Sequence, residues 1–177
     1  MADPTHLDRL REGVEAWNRW REARSLGEVD LRGADLRDMD LRGVDLWYAK
    51  LQGARLDGAI FTEAVLDRAD LTLADMSGTN LWGARLRGAI LERCVLRSTN
   101  FAEADLTLAR FHEADVDAAV FTGATLKGAN FHGVTMDGAL GLRAGTGWVK
   151  EAPVPRSDGP SPGAQGLHDG LRHTSGA

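Results

Sequence analysis

An apolar residue stands at every fifth position from Leu26 to Met136, twenty-three times in succession. Leucine predominates; Phe61, Met76, Phe101, Phe111, Val116, Phe121 and Phe131 are among the replacements. A helix brings a residue back to one face every 3.6 positions and a strand every 2. Neither period places an apolar side chain at each fifth residue for over a hundred residues. A fixed internal period of this kind belongs to chains that stack short units on one another. A small residue, usually alanine, comes two places before each apolar centre, as at Ala34, Ala54, Ala69 and Ala74. In extended chain, residues two apart point to one side. The small residue and the large one therefore face inward, and the residue between them and the two that follow face out. Glycines just past the centre, such as Gly33 and Gly53, suit a turn. Alternating small and large residues let a narrow interior close without voids.

Three stretches carry a resemblance to a known family: Ala34-Asp-Leu-Arg-Asp, Ala69-Asp-Leu-Thr-Leu and Ala104-Asp-Leu-Thr-Leu. They match the Ala-(Asp/Asn)-Leu-x-x consensus of the pentapeptide-repeat proteins. The stretch Gly13 to Arg21 is similar to the leader that precedes such repeats in bacterial members. The resemblance implies an all-β fold: a right-handed, four-sided (quadrilateral) β-solenoid of about six coils, one pentapeptide per side. Periodicity alone leaves the number of sides open. With four sides, residues twenty apart stack. Thr79 and Thr99 then form an interior pair, Asn80 and Asn100 stack outside them, and Phe61, Leu81, Phe101 and Phe121 share one inner column. At a strand spacing of ~4.8 Å the solenoid is roughly 28 Å long.

The chain divides into three segments. Residues 1–25 read as one amphipathic capping helix, with Leu7, Leu10, Val14, Trp17 and Trp20 at spacings of three and four. A solenoid exposes its core and unpaired backbone at each end, so a cap is needed there. Residues 26–140 are the repeat. Residues 141–177 hold a short apolar set (Leu142, Trp148, Val149) and then a Gly, Pro and Ser-rich tail, expected to be disordered from about Glu151. Either the short set folds back as a second cap, or two chains meet end to end as a homodimer.

Charge and composition exclude several classes. The net charge of −5 argues against a direct nucleic-acid binder that neutralises phosphates. No run of about eighteen apolar residues is present, so no membrane span is expected. A single cysteine, Cys94, rules out an internal disulfide framework and fits a reducing cytoplasm. No catalytic, cofactor-binding or metal-ligating constellation is found. Cys94 takes an inward small position and reads as inert core. His112 and His132 lie twenty apart with Glu92 just below; two imidazoles and a loose carboxylate make a poor metal site.

Function therefore rests on the outward residues. One side carries Asp35, Asp38, Asp57, Asp75, Asp115, Asp117 and Asp137 against Arg37, Arg55 and Arg97. Two tryptophans, Trp47 and Trp82, also point outward and suit binding anchors. Resemblance to the quinolone-resistance and self-immunity members implies an acidic rod that imitates B-DNA and occupies the DNA saddle of a type II topoisomerase (gyrase). The alternative is a general protein-interaction scaffold without a topoisomerase link. Outward threonines such as Thr62, Thr72 and Thr107 are spread over different sides, which argues against an ice-binding array.

Overall fold

A computed structural model describes residues 1–23, 27–136 and 138–142. Parallel bridges join residues twenty apart without a gap in the series, from Asp30↔Lys50 to Val120↔Leu140. Each turn of the chain therefore spends four pentapeptides, one per side. Every side contributes a single bridge residue rather than a longer strand. Residues 27–142 make nearly six such coils.

The five backbone N–H groups of one unit show why the sequence repeats as it does. Leu71 N–H donates to Ile90 O (2.8 Å) and Leu73 N–H to Glu92 O (3.0 Å), both in the coil above. Ala74 N–H closes the corner on Leu71 O (2.8 Å), and Asp75 N–H donates to Ala54 O (3.0 Å) in the coil below. The remaining donor, Thr72 N–H, finds no backbone acceptor. It is taken by the Asp70 side chain (3.0 Å). The same bond runs from Ser77 N–H to Asp75, Trp82 N–H to Asn80, Ala102 N–H to Asn100 and Thr107 N–H to Asp105. A short side chain with an oxygen two places earlier therefore serves the otherwise unpaired N–H wherever it occurs, though bridge positions such as Ile60 and Val95 do without it. That is the local reason for Asp or Asn ahead of the apolar centre. The third residue of each corner has positive φ, as in a type II turn; glycine fits there at Gly33 (φ 65), and Asp38 (φ 56) tolerates it.

The interior is continuous from Val29 to Val134, with the central residues and the small residues before them buried. Phe101 stacks on Phe121 (centroids 5.1 Å, 10° between planes), and Phe111 on Phe131 (4.4 Å, 6°). Edge-on contacts of about 6 Å link the two columns across the core, as between Phe101 and Phe111. Thr79 and Thr99 are fully buried and donate their hydroxyls to Leu56 O (2.9 Å) and Met76 O (2.8 Å). Cys94 occupies an equivalent place, its Sγ 2.9 Å from Leu71 O. Burial pushes its thiol up to about 12, which makes it a poor nucleophile.

The N-terminal cap differs from the single helix expected over residues 1–25. It is two short helices, α1 (Pro4–Arg11) and α2 (Val14–Glu22). Gly13 between them has φ 109, outside the helical region, so the apolar spacing of three and four runs through a break. Asp3 caps α1 through Thr5 N–H (2.8 Å) and Pro4 begins it. α2 ends at Glu22. Leu10 and Trp17 are buried against the first coil, with Leu7, Val14 and Trp20 partly buried beside them.

The cap also supplies hydrogen bonds that a lower coil would have made. At Asp45, the C=O accepts from the Trp17 indole N–H (2.7 Å), and the N–H donates to Asn18 Oδ1 (2.9 Å). At Asp30, the C=O accepts from Asp3 N–H (2.9 Å), and the N–H donates to His6 Nδ1 (3.2 Å). Both bridge residues are satisfied as they would be within the stack, which closes the sheet edge on two sides. The opposite end, with its choice between a folded-back cap and an end-to-end dimer, involves residues 143–150 and lies outside the described residues, as does the tail from Glu151.

Candidate protein-binding surface

With twenty residues per coil, the outward candidates fall on three consecutive sides. The aspartates stand on the first, Trp82 on the second and Trp47 on the third. Asp137 lies outside the described residues. The nine candidates therefore do not converge on one site.

On the aspartate side, all three arginines are engaged. Arg37 makes a two-pronged contact with Asp35 (2.7 Å through both Nε and Nη2), and Arg55 lies 3.7 Å from the same carboxylate. Arg97 pairs with Asp115 (2.6 Å). The hydrogen bonds from Arg37 bring the Asp35 carboxyl down to about 2. Asp75 accepts from Ser77 N–H (3.0 Å) and Oγ (2.7 Å). Asp35, Asp75 and Asp115 thus sit at bridge positions, and each accepts the backbone N–H two residues on. Asp38, Asp57 and Asp117 are different. They occupy corner or outward positions, and among the described residues no hydrogen bond or ion pair engages their carboxylates. Their place in the five-residue period separates the six into two sets of three: those just before the apolar centre serve the turn, and those after it do not.

The second side is also acidic, with Glu63 and Glu103 exposed at its corners. Its bridge line reads Asp40, Ile60, Asn80, Asn100, Val120, Leu140, and its outward line Arg42, Thr62, Trp82, Ala102, Thr122, Leu142. Trp82 is 43% exposed between the small neighbours Thr62 and Ala102. Asn100 Nδ2 donates to Asn80 Oδ1 (3.2 Å), a ladder on the outer surface.

Trp47 is half-buried beside the cap. Its ring meets Tyr48 edge-on at 5.0 Å, and Arg68 from the next coil lies over Tyr48 at 5.8 Å. Two notches flank Trp47. One, of about 470 Å³, is lined by Arg21, Glu22, Asp45 and Arg85 among others; the other, of about 400 Å³, by Glu28, Tyr48 and Lys50. Sequence reading placed Trp47 outward but gave no sign of this setting, because the walls come from α2, far away in the chain.

His112 and His132 stack at 5.2 Å with 12° between planes, as their spacing implies. Glu92 is drawn away by Arg110 (2.5 Å), and Glu113 by Arg93 (2.7 Å). Among the described residues no group of three or more His, Cys, Asp or Glu side chains could hold a metal ion. No helix among them is long and apolar enough to cross a membrane.

No curated protein matches the chain. Among solved structures, a pentapeptide repeat protein from the Arabidopsis thaliana thylakoid lumen is 26% identical over 63% of this chain and 70% of its own, with a TM-score of 0.32. The pentapeptide repeat protein Rfr23 of the cyanobacterium Cyanothece 51142 is 22% identical over 67% and 85%, with a TM-score of 0.34. QnrB1, a plasmid-mediated fluoroquinolone resistance protein, is 19% identical over 68% and 63%, with a TM-score of 0.27. Pentapeptide repeats match in eight copies over residues 25–62, 40–78, 74–112 and 104–140. With that match spanning well over half its length, the chain belongs to the pentapeptide repeat family.

Proposed function

We propose that this chain is a non-catalytic, cytoplasmic protein-binding module, a right-handed quadrilateral β-solenoid whose aspartate-bearing side recognises a cationic protein surface. The observation that carries this reading is the second set of aspartates. Asp38, Asp57 and Asp117 make no hydrogen bond or ion pair through their carboxylates among the described residues, with Arg37 near the first two and Arg97 near the third already held by Asp35 and Asp115, so their charge can face another molecule. The specific partner proposed is a type II topoisomerase, with the acidic side standing where DNA would lie. Charge density limits how literal that imitation is. B-DNA of ~28 Å carries roughly 16 charges. Residues 26–140 hold eighteen acidic and twelve basic residues, a net −6. Recognition would then depend on where the charges stand more than on how many there are. The test is a supercoiling assay with purified gyrase, with and without a fluoroquinolone. The proposal expects a shift in supercoiling or in drug inhibition that weakens with added salt. No shift in either at a large molar excess of this protein would remove the topoisomerase reading.

A second reading, a scaffold with no topoisomerase link, is favoured by the exposed Trp82 between the small residues Thr62 and Ala102. An exposed tryptophan on a flat side suits a partner's apolar pocket. Capture from the native host, repeated with Trp82→Ala, separates the two. A non-topoisomerase partner lost only in the variant supports this second reading.

A further inference from the structure

Trp82 is set differently from the other outward aromatics. Tyr48 meets Trp47 edge-on at 5.0 Å and lies under Arg68 at 5.8 Å. Among the described residues neither a ring nor a cation packs on Trp82, which stays exposed between Thr62 and Ala102. One coil lower, Glu63 N–H donates to Trp82 O (3.0 Å), which sets Glu63 below the Trp82–Gly83 corner. Its stem leans upward: Cγ is 3.7 Å from where a side chain on Gly83 would begin. With glycine at 83, Glu63 fills the corner beside Trp82. Glu103 repeats the arrangement two coils higher. Its N–H donates to Thr122 O (3.0 Å), and its carboxylate leans over Gly123. Both glutamates are exposed, and among the described residues no hydrogen bond or ion pair engages either carboxylate. The cations around them are committed. Arg42, on the same side, is held by Asp40 (2.5 Å), and Arg85, on the adjoining bridge line, by Asp67 (2.5 Å). The edge thus presents an aromatic and two carboxylates that no cation of this chain neutralises.

Their spacing defines a ligand. Two coils at ~4.8 Å each put Glu63 and Glu103 about 10 Å apart along the axis. In a polyproline II segment, residues three apart lie on one face with a separation of about 9 Å. We propose that this edge binds a protein segment in that conformation with two arginines three residues apart, Arg-x-x-Arg. The first guanidinium lies over Trp82 and pairs with Glu63; the second pairs with Glu103. Arginine suits the first place better than lysine, because its planar guanidinium stacks on an indole while still donating to a carboxylate. The inference rests on the second reading above, with Trp82 as the anchor, and names the chemistry that Trp82 meets. It does not depend on the aspartate side, the next one round the coil.

The probe is the end-blocked peptide Gly-Arg-Pro-Pro-Arg-Gly, titrated into the full chain at about 0.15 M salt to screen distant charges. Binding is followed by NMR at the Trp82 indole N–H and the Gly83 backbone N–H. Both signals should move and saturate. Replacing both arginines of the peptide by lysine should weaken binding at least ~3-fold, and Trp82→Ala, read at Gly83, should do the same. Glu63→Gln and Glu103→Gln should each weaken it about 2- to 5-fold. All three side chains are exposed, so these variants keep the fold. The Asp38, Asp57 and Asp117 to Asn triple variant should bind within about 2-fold of the unaltered chain. Equal affinity for the arginine and lysine peptides, or binding that Trp82→Ala leaves in place, overturns the proposal. So does loss of binding in the triple variant, which would put the peptide on the aspartate side. If host capture depends on Trp82 but the peptide moves neither signal, the arginine motif is wrong and the second reading stands.

Discussion

Two neighbouring sides of the solenoid use the same backbone and carry different surfaces. The side of Asp35 to Asp117 mixes aspartates with three arginines; the side of Ile60 to Val120 bears Glu63 and Glu103 with no basic residue, around an exposed Trp82. Where the bridge line supplies an oxygen for the N–H two residues on, Asp75 and Asp115 do so on one side, Asn80 and Asn100 on the other. An amide oxygen performs that task without a charge. The fold therefore does not require the negative charge at the bridge line, and Asp38, Asp57 and Asp117 make no hydrogen bond or ion pair through their carboxylates among the described residues. What separates the two sides is surface chemistry that the solenoid carries without depending on it.

The most drastic way to test this is from within. Met76 is the centre of a unit on the aspartate side and Leu81 the centre on the side of Trp82, and both are fully buried. Met76→Ala and Leu81→Ala should each cost about 2–5 kcal/mol in urea denaturation, with no systematic difference between sides. A much larger loss on one side would mean that the two interiors are not equivalent. At the bridge line the effects are smaller. Asp75→Ala and Asn80→Ala should each cost about 0.5–1.5 kcal/mol, since each strands an acceptor-dependent N–H. Asp75→Asn should come within about 0.5 kcal/mol of the unaltered chain, because the acceptor remains. If the amide proved as harmful as alanine, the charge itself would be structural.

Acid titration sharpens the contrast further. Asp35 is held down to about 2 by its hydrogen bonds from Arg37. A carboxyl lowered in the folded state stabilises above its unfolded value and loses that contribution as pH falls through the folded one. The window runs from near pH 4 down to near pH 2. Asp35→Asn should flatten the acid limb of a thermal-stability profile there, whereas Asn80→Ala should lower the whole profile without changing its shape. The smallest expected stability effect belongs to Asp38→Asn, Asp57→Asn and Asp117→Asn together. Among the described residues their carboxylates make no hydrogen bond or ion pair, so the denaturation midpoint should hardly move.

Much of the fold was legible because one period governs it. Leu26 to Met136 announce the stack, and the spacing of twenty correctly pairs Thr79 with Thr99 and Phe101 with Phe121. The cap was legible only in part. Gly13 looks permissive inside an amphipathic pattern, and its φ of 109 depends on how α1 and α2 meet the first coil. The substitution of Trp17 and Asn18 side chains for a missing coil could not be read from spacing either, since it is a contact between distant segments. For the candidate surface, the period already set Asp35, Asp75 and Asp115, just before the apolar centre, apart from Asp38, Asp57 and Asp117 after it. What spacing did not show is the arginine pairing, such as Arg97 leaning across to Asp115 in the next coil.

The central claim is that the spare aspartates form a recognition surface. Its most direct measurement is a gyrase supercoiling titration with three proteins: the unaltered chain, the Asp38, Asp57 and Asp117 to Asn triple variant, and Asp75→Asn. The account predicts that the unaltered chain and Asp75→Asn act alike, and that the triple variant needs at least ~10-fold more protein for the same shift, about 1.4 kcal/mol of lost recognition. An unaltered chain without effect, or a triple variant as potent as the unaltered chain, would contradict it.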